Sequence, residues 1–453
     1  MKKWWLVLVM ALTLCCGAAA AEISGDWEYV LLDDGTAEIY AYYGQAEQLT
    51  VPAELDGHAV SKLGGVCFAE NAVLRSVTIP DTVTEIGRNP FLGCPCLTEI
   101  IVSQDHPTLA TIGGVLFHKP TKTLVTYPCA FIIPAYEVPQ GILAIGEDAF
   151  FGSPLTSVIL PDTLTDVRDM AFRKCQALES VVLPESVTYI GMSAFNECAA
   201  LRSINIPAGV KDICDGAFAG CWSLQSVALP EGLQTIGDYA FSGCENLTAF
   251  TFPSTVGVLG SGVFEGCHGL TEIVLPDTLR ILYGNPFPNC SKLTEIVVSP
   301  DHPTLATIDG VLFMKADKRL VCYPRALTAE SYAVPQGIRV IGKQAFYVNT
   351  VLKEIILPDT LEEIGMEAFS NTNELESIVL PDGLKEVGVW AFLYCRKLTE
   401  ITVPASVTAI GQEAFTTYNG VTVHTWRGSY AAQWARDNGV PYDYVDALDW
   451  LTN

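Results

Sequence analysis

Thirteen phenylalanines recur at a nearly constant interval along this chain. Of the twelve intervals between them, nine are 23 residues, one is 22 and two are 59. A fixed period of this length indicates one small structural unit copied many times, and such units stack into a solenoid in which each contacts its neighbours. The phenylalanines are Phe68, Phe91, Phe150, Phe172, Phe195, Phe218, Phe241, Phe264, Phe287, Phe346, Phe369, Phe392 and Phe415.

Residues 178–200 (LESVVLPESVTYIGMSAFNECAA) illustrate the repeating unit. Leu178, Val181 and Leu183 fit the L-x-x-L-x-L pattern of a strand whose inward residues are two apart. Pro184 ends the strand, because proline cannot donate to a hydrogen-bonded ladder. One such unit buries too little apolar surface to be stable alone, so we expect the core to form between stacked coils.

The second half of the unit predicts the back of the coil. A glycine stands four residues before the phenylalanine in ten of the thirteen copies, which indicates either a positive φ or a close approach of two backbones. Alanine, phenylalanine and cysteine then follow at helical spacing, which predicts a short helical turn. The copies without the glycine have Arg168, Cys214 and Tyr283 in its place.

The whole pattern, P-x-x-V-x-x-I-G-x-x-A-F-x-x-C-x-x-L-x-x-I-x-L-P, resembles the BspA-like class of bacterial leucine-rich repeats over nearly all of residues 49–425. The resemblance implies a repeat solenoid of 23-residue coils with one parallel β-sheet face. It also implies an exported or surface protein, since characterised members are associated with adhesion to host proteins and to other cells. No catalytic residue is implied by the resemblance.

The two 59-residue intervals are copies of one another. Residues 105–112 and 301–308 both read DHPTLATI, and the similarity continues at the same offset of 196 residues. Two apolar runs separated by a short polar stretch predict a β-hairpin, which places inserts at about 104–134 and 300–330. Each insert either extends a coil or stands out from it, as a contact for a partner or as padding tolerated in a loop.

The ends of the array predict two caps around the solenoid of residues 49–425, because terminal units must shield the core. Residues 22–48 are expected to form an N-terminal β cap, with a hairpin that turns at Asp33-Asp34-Gly35. Residues 426–453 are expected to form a C-terminal cap, in which Ser429 begins a helix and Gly439 ends it.

Residues 1–21 have the pattern of a secretory signal peptide. Two lysines precede the run Trp4–Leu14, which is too short to span a bilayer, and Ala18 to Ala21 supply small residues for cleavage. We therefore predict a secreted or cell-surface protein with no transmembrane segment in the mature chain. The formal net charge of −25 argues against nucleic acid and anionic membranes as partners.

Eight cysteines follow the repeating phenylalanine at the same distance of three residues. Leucine-rich repeats use asparagine or cysteine as a small buried group at such a position, so we interpret the column as unreactive thiols. Disulfide bridges and metal binding remain as alternatives. The cysteines are Cys94, Cys175, Cys198, Cys221, Cys244, Cys267, Cys290 and Cys395.

The outer face of the strands carries the candidate partner-binding residues. An apolar column two positions before the proline is flanked by carboxylates two positions earlier, a pattern suited to a protein strand or a sugar face. β-Propensity combined with solvation explains the same pattern without a ligand. The candidate residues are Ile159, Val182, Val274, Ile356, Val379, Glu272, Glu295, Glu354 and Glu400.

No catalytic motif interrupts the repeat. The sequence lacks H-E-x-x-H, G-x-S-x-G and G-x-x-x-x-G-K, so we predict no enzymatic activity, no cofactor and no metal site. The leading hypothesis is a binding or adhesion protein whose partner is a protein or a glycan, with host extracellular matrix and other cell surfaces as candidates. The alternatives are a secreted glycan-active enzyme that uses two surface carboxylates and a passive surface or spacer protein.

Overall fold

The computed structural model describes residues 21–416 and 420–445. The predicted signal peptide therefore lies outside the described residues apart from Ala21, and so do residues 446–453 of the predicted C-terminal cap. Within the described ranges, no helix is long and apolar enough to cross a membrane.

Each coil begins with a short strand, and these strands pair in parallel to form what we call the front ladder. Equivalent residues of successive coils lie side by side, as Ser157 does with Ser180 and Val158 with Val181. Side chains alternate between core and solvent, so Val158 and Val181 are buried. The predicted parallel sheet face and solenoid are confirmed. The strands are Gln48–Thr50, Ser76–Thr78, Glu99–Ile101, Ala135–Glu137, Ser157–Ile159, Ser180–Val181, Ser203–Asn205, Ser226–Ala228, Glu272–Val274, Glu295–Val297, Ser331–Ala333, Glu354–Ile356, Ser377–Ile378, Glu400–Thr402, Thr422–Thr425 and Tyr442–Tyr444.

A second ladder of parallel strands lies on another side of each coil, which the sequence pattern did not indicate. It is built from the residues just before the conserved glycine, so that Val167 lies beside Ile190. Most of its strands have only two residues, too few for an alternating pattern to be recognised in the sequence. They are His58–Leu63, Glu85–Ile86, Ala144–Ile145, Asp166–Val167, Tyr189–Ile190, Asp212–Ile213, Thr235–Ile236, Val258–Leu259, Ile281–Leu282, Val340–Ile341, Glu363–Ile364, Glu386–Val387 and Ala409–Ile410.

The back of each coil is a single hydrogen-bonded turn around the phenylalanine, and the residues described there form no longer helix. The N–H of Cys198 donates to the carbonyl oxygen of Phe195 within the turn, and the N–H of Phe195 donates to Ala217 in the next coil at 2.8 Å. Backbone polar groups on this side are thus paired between coils, as burial requires.

The phenylalanines stack in the interior as parallel rings. Ring centroids are 4.8 Å apart between Phe150 and Phe172 and 5.9 Å apart between Phe241 and Phe264, with planes within 10° of parallel in both pairs. This spacing follows the separation of neighbouring strands, about 4.8 Å. Within an uninterrupted run of coils each ring therefore touches the rings of its neighbouring coils, and this stacking is interrupted after Phe91 and after Phe287, where the inserts lie.

The glycine that recurs four residues before the phenylalanine allows neighbouring backbones to approach closely. A Cβ atom at Gly191 would lie 2.5 Å from the amide nitrogen of Asp169, and one at Gly260 would lie 2.4 Å from that of Asp238. Neither glycine has a positive φ, so the second of the two explanations offered by the sequence is the right one. Positive φ values occur instead two residues before and two residues after the phenylalanine, as at Ser193 and Glu197.

Each 59-residue interval contains a three-stranded antiparallel sheet that continues the second ladder. The last inserted strand pairs in parallel with the next coil, Leu124 lying beside Ile145 in the first insert and Leu320 beside Ile341 in the second. The inserts thus extend the solenoid from within. Their strands are Leu109–Ile112, Val115–His118 and Thr123–Thr126, and Leu305–Ile308, Val311–Met314 and Arg319–Cys322.

A tyrosine keeps the 23-residue period inside each insert. Tyr127 precedes Phe150 by 23 residues and stacks on it with centroids 5.0 Å apart. Tyr323 stands in the same relation to Phe346, at 5.2 Å. Each long interval is therefore one ordinary coil marked by tyrosine together with 36 additional residues, since 59 − 23 = 36.

The inserted sheets divide the hydrophobic core into three parts. In the first insert, Leu116 and Val125 pack with the core on the N-terminal side, whereas Val115, Phe117 and Leu124 pack with the core of the following coils. Neighbouring residues of one strand point in opposite directions, so a sheet placed across the solenoid buries both of its faces.

Both predicted caps are present. The N-terminal hairpin consists of Trp27–Leu31 and Ala37–Tyr42, joined by Glu22–Ser24 at its edge, while Glu54–Leu55 pairs with the first strand of the second ladder. At the other end, the hydroxyl of Ser429 accepts a hydrogen bond from the N–H of Ala432 and caps the helix Tyr430–Asp437. Trp434 of this helix packs edge-on against Phe415.

Candidate functional site

The apolar residues predicted on the strand exterior are exposed in the structure. The exposed fraction is 59% for Ile159, 73% for Val182, 53% for Ile356 and 77% for Val379. They protrude because inward neighbours such as Val158 and Val181 occupy the core. Exposure of large β-branched side chains in register is the feature that makes this face a candidate docking surface.

Four of these residues line two shallow grooves on the front ladder. Front groove 1, with a volume of about 370 Å³, contains Ile159, Val182 and Asp162. Front groove 2, with a volume of about 220 Å³, contains Ile356, Val379 and Asp359 at positions 197 residues later. Each groove thus combines two exposed apolar side chains with a carboxylate beside the proline that ends the strand.

The two grooves are equivalent because the chain contains a duplicated block. Each lies at the last strand of a three-stranded segment of the front ladder, Ser180–Val181 in one case and Ser377–Ile378 in the other. Beyond the strand Ser180–Val181, side-chain hydrogen bonds of Asn205 take the place of backbone pairing. The amide oxygen of Asn205 accepts from the N–H of Leu183, and its amide nitrogen donates to the carbonyl oxygen of Leu183. The sequence predicted these residues individually but did not predict that they would form matching grooves.

The other predicted face residues lie outside these grooves, except Glu354, which lines front groove 2. Glu272 and Glu295 lie side by side in register, as do Val274 and Val297. Glu400 lies near the C-terminal cap, with its carboxylate 3.6 Å from Nε2 of His424. The predicted apolar column and its flanking carboxylates are therefore divided into separate patches along the solenoid.

The cysteine column has a structural role that explains its period. Each thiol donates to the carbonyl oxygen of the phenylalanine one coil earlier, as Cys198 does to Phe172 and Cys221 to Phe195, both at 3.2 Å. Thr372 makes the same bond to Phe346 at 3.1 Å, so the position requires a small donor rather than sulfur. Burial raises the pKa of Cys175 and Cys221 to about 12.

These contacts predict the reactivity of the thiols. Among the residues that the structure describes, ten cysteines are buried and three are half-buried, Cys96, Cys129 and Cys214. The thiolate is the nucleophile. In a protein that begins at Glu22, no more than three thiols should therefore react rapidly with a chromogenic aromatic disulfide at pH 8. Thirteen should react after denaturation. Fast reaction of more than three thiols in the native protein would contradict the buried column.

Two of the half-buried cysteines belong to the first insert and the coil before it. Cys129 donates to the carbonyl oxygen of Cys94 at 2.8 Å. Cys96 lies two residues after Cys94 in the sequence. The corresponding positions of the second block are Lys292 and Arg325. Within the described residues, no group of three or more histidine, cysteine or acidic side chains could hold a metal ion.

A pair of acidic side chains near the second insert comes closest to the catalytic alternative. Burial, followed by the charge of Glu367, raises the pKa of Glu265, while Lys343 opposes the shift. The side chain of Gln344 donates to the carboxylate of Glu367 at 2.9 Å. Neither carboxylate lines a front groove, so the candidate binding face and this pair are separate features.

A family model for the BspA type leucine rich repeat region matches the chain over most of its length. The model describes six copies of the repeat, and it matches residues 38–124, 126–233, 211–321 and 319–427. No curated protein matches the chain.

Solved structures of leucine-rich repeat proteins are similar to this chain. A leucine rich cell surface protein from Faecalibacterium prausnitzii is 26% identical, with coverage of 94% of this chain and 98% of that one and a TM-score of 0.44. A leucine-rich repeat protein from Bacteroides ovatus is 24% identical, with coverage of 94% and 99% and a TM-score of 0.43. The pneumococcal vaccine antigen PcpA is 18% identical, with coverage of 90% and 82% and a TM-score of 0.40.

Proposed function

The chain belongs to the BspA-type leucine-rich repeat family, and from that premise we propose that it is an exported or cell-surface binding protein. The proposed partner is a protein, with a glycan as the alternative ligand, and host extracellular matrix or another cell surface is its proposed source. The pattern of residues 1–21 supports export. A scaffold of stacked coils favours binding over catalysis, since its residues form an extended surface.

The observation that carries the proposal is the occurrence of two equivalent grooves with the same exposed residues. Eight coil steps separate Phe172 from Phe369 when Tyr323 is counted, and the strands of the second insert add to this separation, which places the grooves on the order of 50 Å apart at the strand spacing of a sheet. A partner that presents two copies of one motif would engage both grooves, and linked engagement raises avidity without any new contact.

The charge of the surface narrows the chemistry of the partner. Asp162 and Asp359 lie in the grooves, Glu354 lies in front groove 2, and the whole chain is strongly acidic. Complementary potentials favour encounter with a basic partner. We therefore propose a protein segment that carries apolar side chains beside lysine or arginine.

Substitution in the grooves tests the proposed function. A protein that begins at Glu22 is applied to arrays of extracellular-matrix proteins and of glycans, and the double variant Val182→Glu/Val379→Glu is compared with it. The two substitutions should weaken binding of the captured partner at least tenfold, because each removes an apolar contact and places a carboxylate against the apolar side chains of the partner, where it would be desolvated. Either single variant should have an intermediate effect.

A matched control separates the grooves from charge in general. The double variant Ala228→Glu/Thr251→Glu adds the same charge to exposed positions of the same column outside both grooves, and it should bind like the unmodified protein. Equal weakening by both double variants would argue against the grooves. Capture of nothing above background from either array would leave the binding function without support.

A further inference from the structure

A cleft at the first insert lies on the second ladder rather than on the front face. Its volume is about 250 Å³, and we call it the insert cleft. Polar side chains from four successive segments meet there. They include the side chains of Arg88, His118, Thr121, Thr123, Glu147 and Arg168.

Arg168 occupies the position at which ten of thirteen coils have glycine. At the coils with glycine, a side chain there would come too close to the preceding backbone, as shown by the distance of 2.5 Å from a Cβ at Gly191 to the nitrogen of Asp169. At this coil the preceding segment is a junction with the insert, and the guanidinium lines the cleft. Arg168 forms no ion pair with any residue that the structure describes.

Arg88 forms a rigid wall on one side of the cleft. Its guanidinium pairs with Asp148, whose side chain is fully buried, and also contacts the sulfur of Met170 at 3.3 Å. Because Asp148 neutralises Arg88, the charge available to a ligand comes from Arg168. Glu147 at the exposed edge opposes further negative charge, so the cleft suits an anion with a single charge.

Neutral hydrogen-bonding groups complete the cleft. Nδ1 of His118 lies 2.7 Å from the hydroxyl of Thr121, which lies 2.9 Å from that of Thr123. These hydrogen bonds leave Nε2 of His118 without a partner among the described residues. Burial, followed by the charge of Arg168, lowers the pKa of His118, so the neutral ring can donate or accept near pH 7.

The duplicated block supplies an internal comparison, because the same fold there has no cleft. Gly284, Met314 and Lys343 replace Arg88, His118 and Glu147, and Gly365 replaces Arg168. Arg319 replaces Thr123, pairs with Asp317 at 2.8 Å and occupies the site. The remaining space has no volume open to a water molecule. The cleft therefore depends on substitutions confined to one copy, and the fold does not require it.

We propose that the insert cleft binds the carboxylate of an acidic sugar residue. The planar guanidinium of Arg168 can hold a carboxylate through two parallel hydrogen bonds. The imidazole and the threonine hydroxyls offer donors and acceptors for sugar hydroxyls, and only two of the residues that line the cleft, Ile86 and Val125, have apolar side chains. The site does not involve either front groove, so it is independent of the function proposed above.

Titration with galacturonic acid tests the proposal, with its methyl ester as the neutral control. The protein begins at Glu22, and binding is measured by calorimetry at pH 7 and 150 mM salt, where the Debye length is about 8 Å. We expect the acid to bind and the ester not to bind. Arg168→Gln should weaken binding at least tenfold, and Arg202→Gln, which removes an exposed arginine elsewhere, should not.

Two further measurements keep the test decisive. Arg168→Gly restores the residue found in most coils, so it should fold even if Arg168→Gln does not, and it should lose binding to the same extent. A short peptide ending in glutamate and inorganic sulfate are titrated in parallel. Tighter binding of the peptide or of sulfate, absence of binding to galacturonic acid, or an affinity of the Arg168 variants equal to that of the unmodified protein would overturn the assignment.

Discussion

Replacing Phe218 with alanine is expected to destabilise the solenoid by about 3–5 kcal/mol, the usual cost of truncating a buried aromatic ring. Phe218 is fully buried near the middle of the longest uninterrupted run of coils. Its ring stacks on Phe195 at 5.5 Å and on Phe241 at 5.4 Å. The substitution therefore removes the aromatic contact at two interfaces between coils at once.

Stability in a linear array is a sum of unit terms and nearest-neighbour terms, so the loss should also reduce cooperativity. We expect urea unfolding followed by circular dichroism to change from one transition to two, as the coils on either side of Phe218 become uncoupled. Trp222→Ala is the control, because that ring belongs to the next turn and is 52% exposed. A loss below 1 kcal/mol for Phe218→Ala would contradict the role assigned to the column of rings.

Replacing Gly260 with alanine is expected to cost about 1–3 kcal/mol, as overpacking of a tight interior does. A Cβ atom at this position would lie 2.4 Å from the amide nitrogen of Asp238 and 2.6 Å from the carbonyl carbon of Gly237. These atoms belong to the backbone of the previous coil and cannot rotate away. The two coils must then separate, which lengthens the hydrogen bond from the N–H of Gly260 to Ile236, 2.8 Å in the structure.

Gly257→Ala in the same coil is the matched control. Its Cβ would have ordinary contact only, 3.8 Å from the carbonyl oxygen of Thr278, and its φ is not positive. Removing a glycine at a compatible site tends to stabilise by about 0.4–1 kcal/mol. The two variants should therefore shift the midpoint of thermal unfolding in opposite directions. Equal shifts would show that the period of the glycine does not reflect close backbone approach.

The parts of the fold that depend on periodicity could be predicted from the sequence. Phe195 and its equivalents repeat because every coil places one ring in the same column, and Val181 and Leu183 alternate because a strand has two faces. The predicted exterior position of Val182 and Val379 follows from the same alternation. Ser429 and Gly439 could be recognised as the ends of a helix, because capping depends on local chemistry.

The sequence predicts the inserts only in part. Their apolar runs predicted strands, but not that Val115 and Leu116 would face two different cores. Tyr127 and Tyr323 continue the period of 23 residues and could have revealed the hidden coil. A repeat defined by phenylalanine alone does not include them.

The sequence alone determined that this protein is a solenoid with an extended outer face, because stacking identical coils repeats the same residue in the same environment. Only the tertiary structure decided which outer residues form grooves, and that Arg88, His118 and Arg168 meet in one cleft. Those residues are brought together by segments that are distant along the chain and not related by the period. A repeat predicts neighbours at its own spacing, whereas a site built where the repeat is interrupted depends on packing in three dimensions.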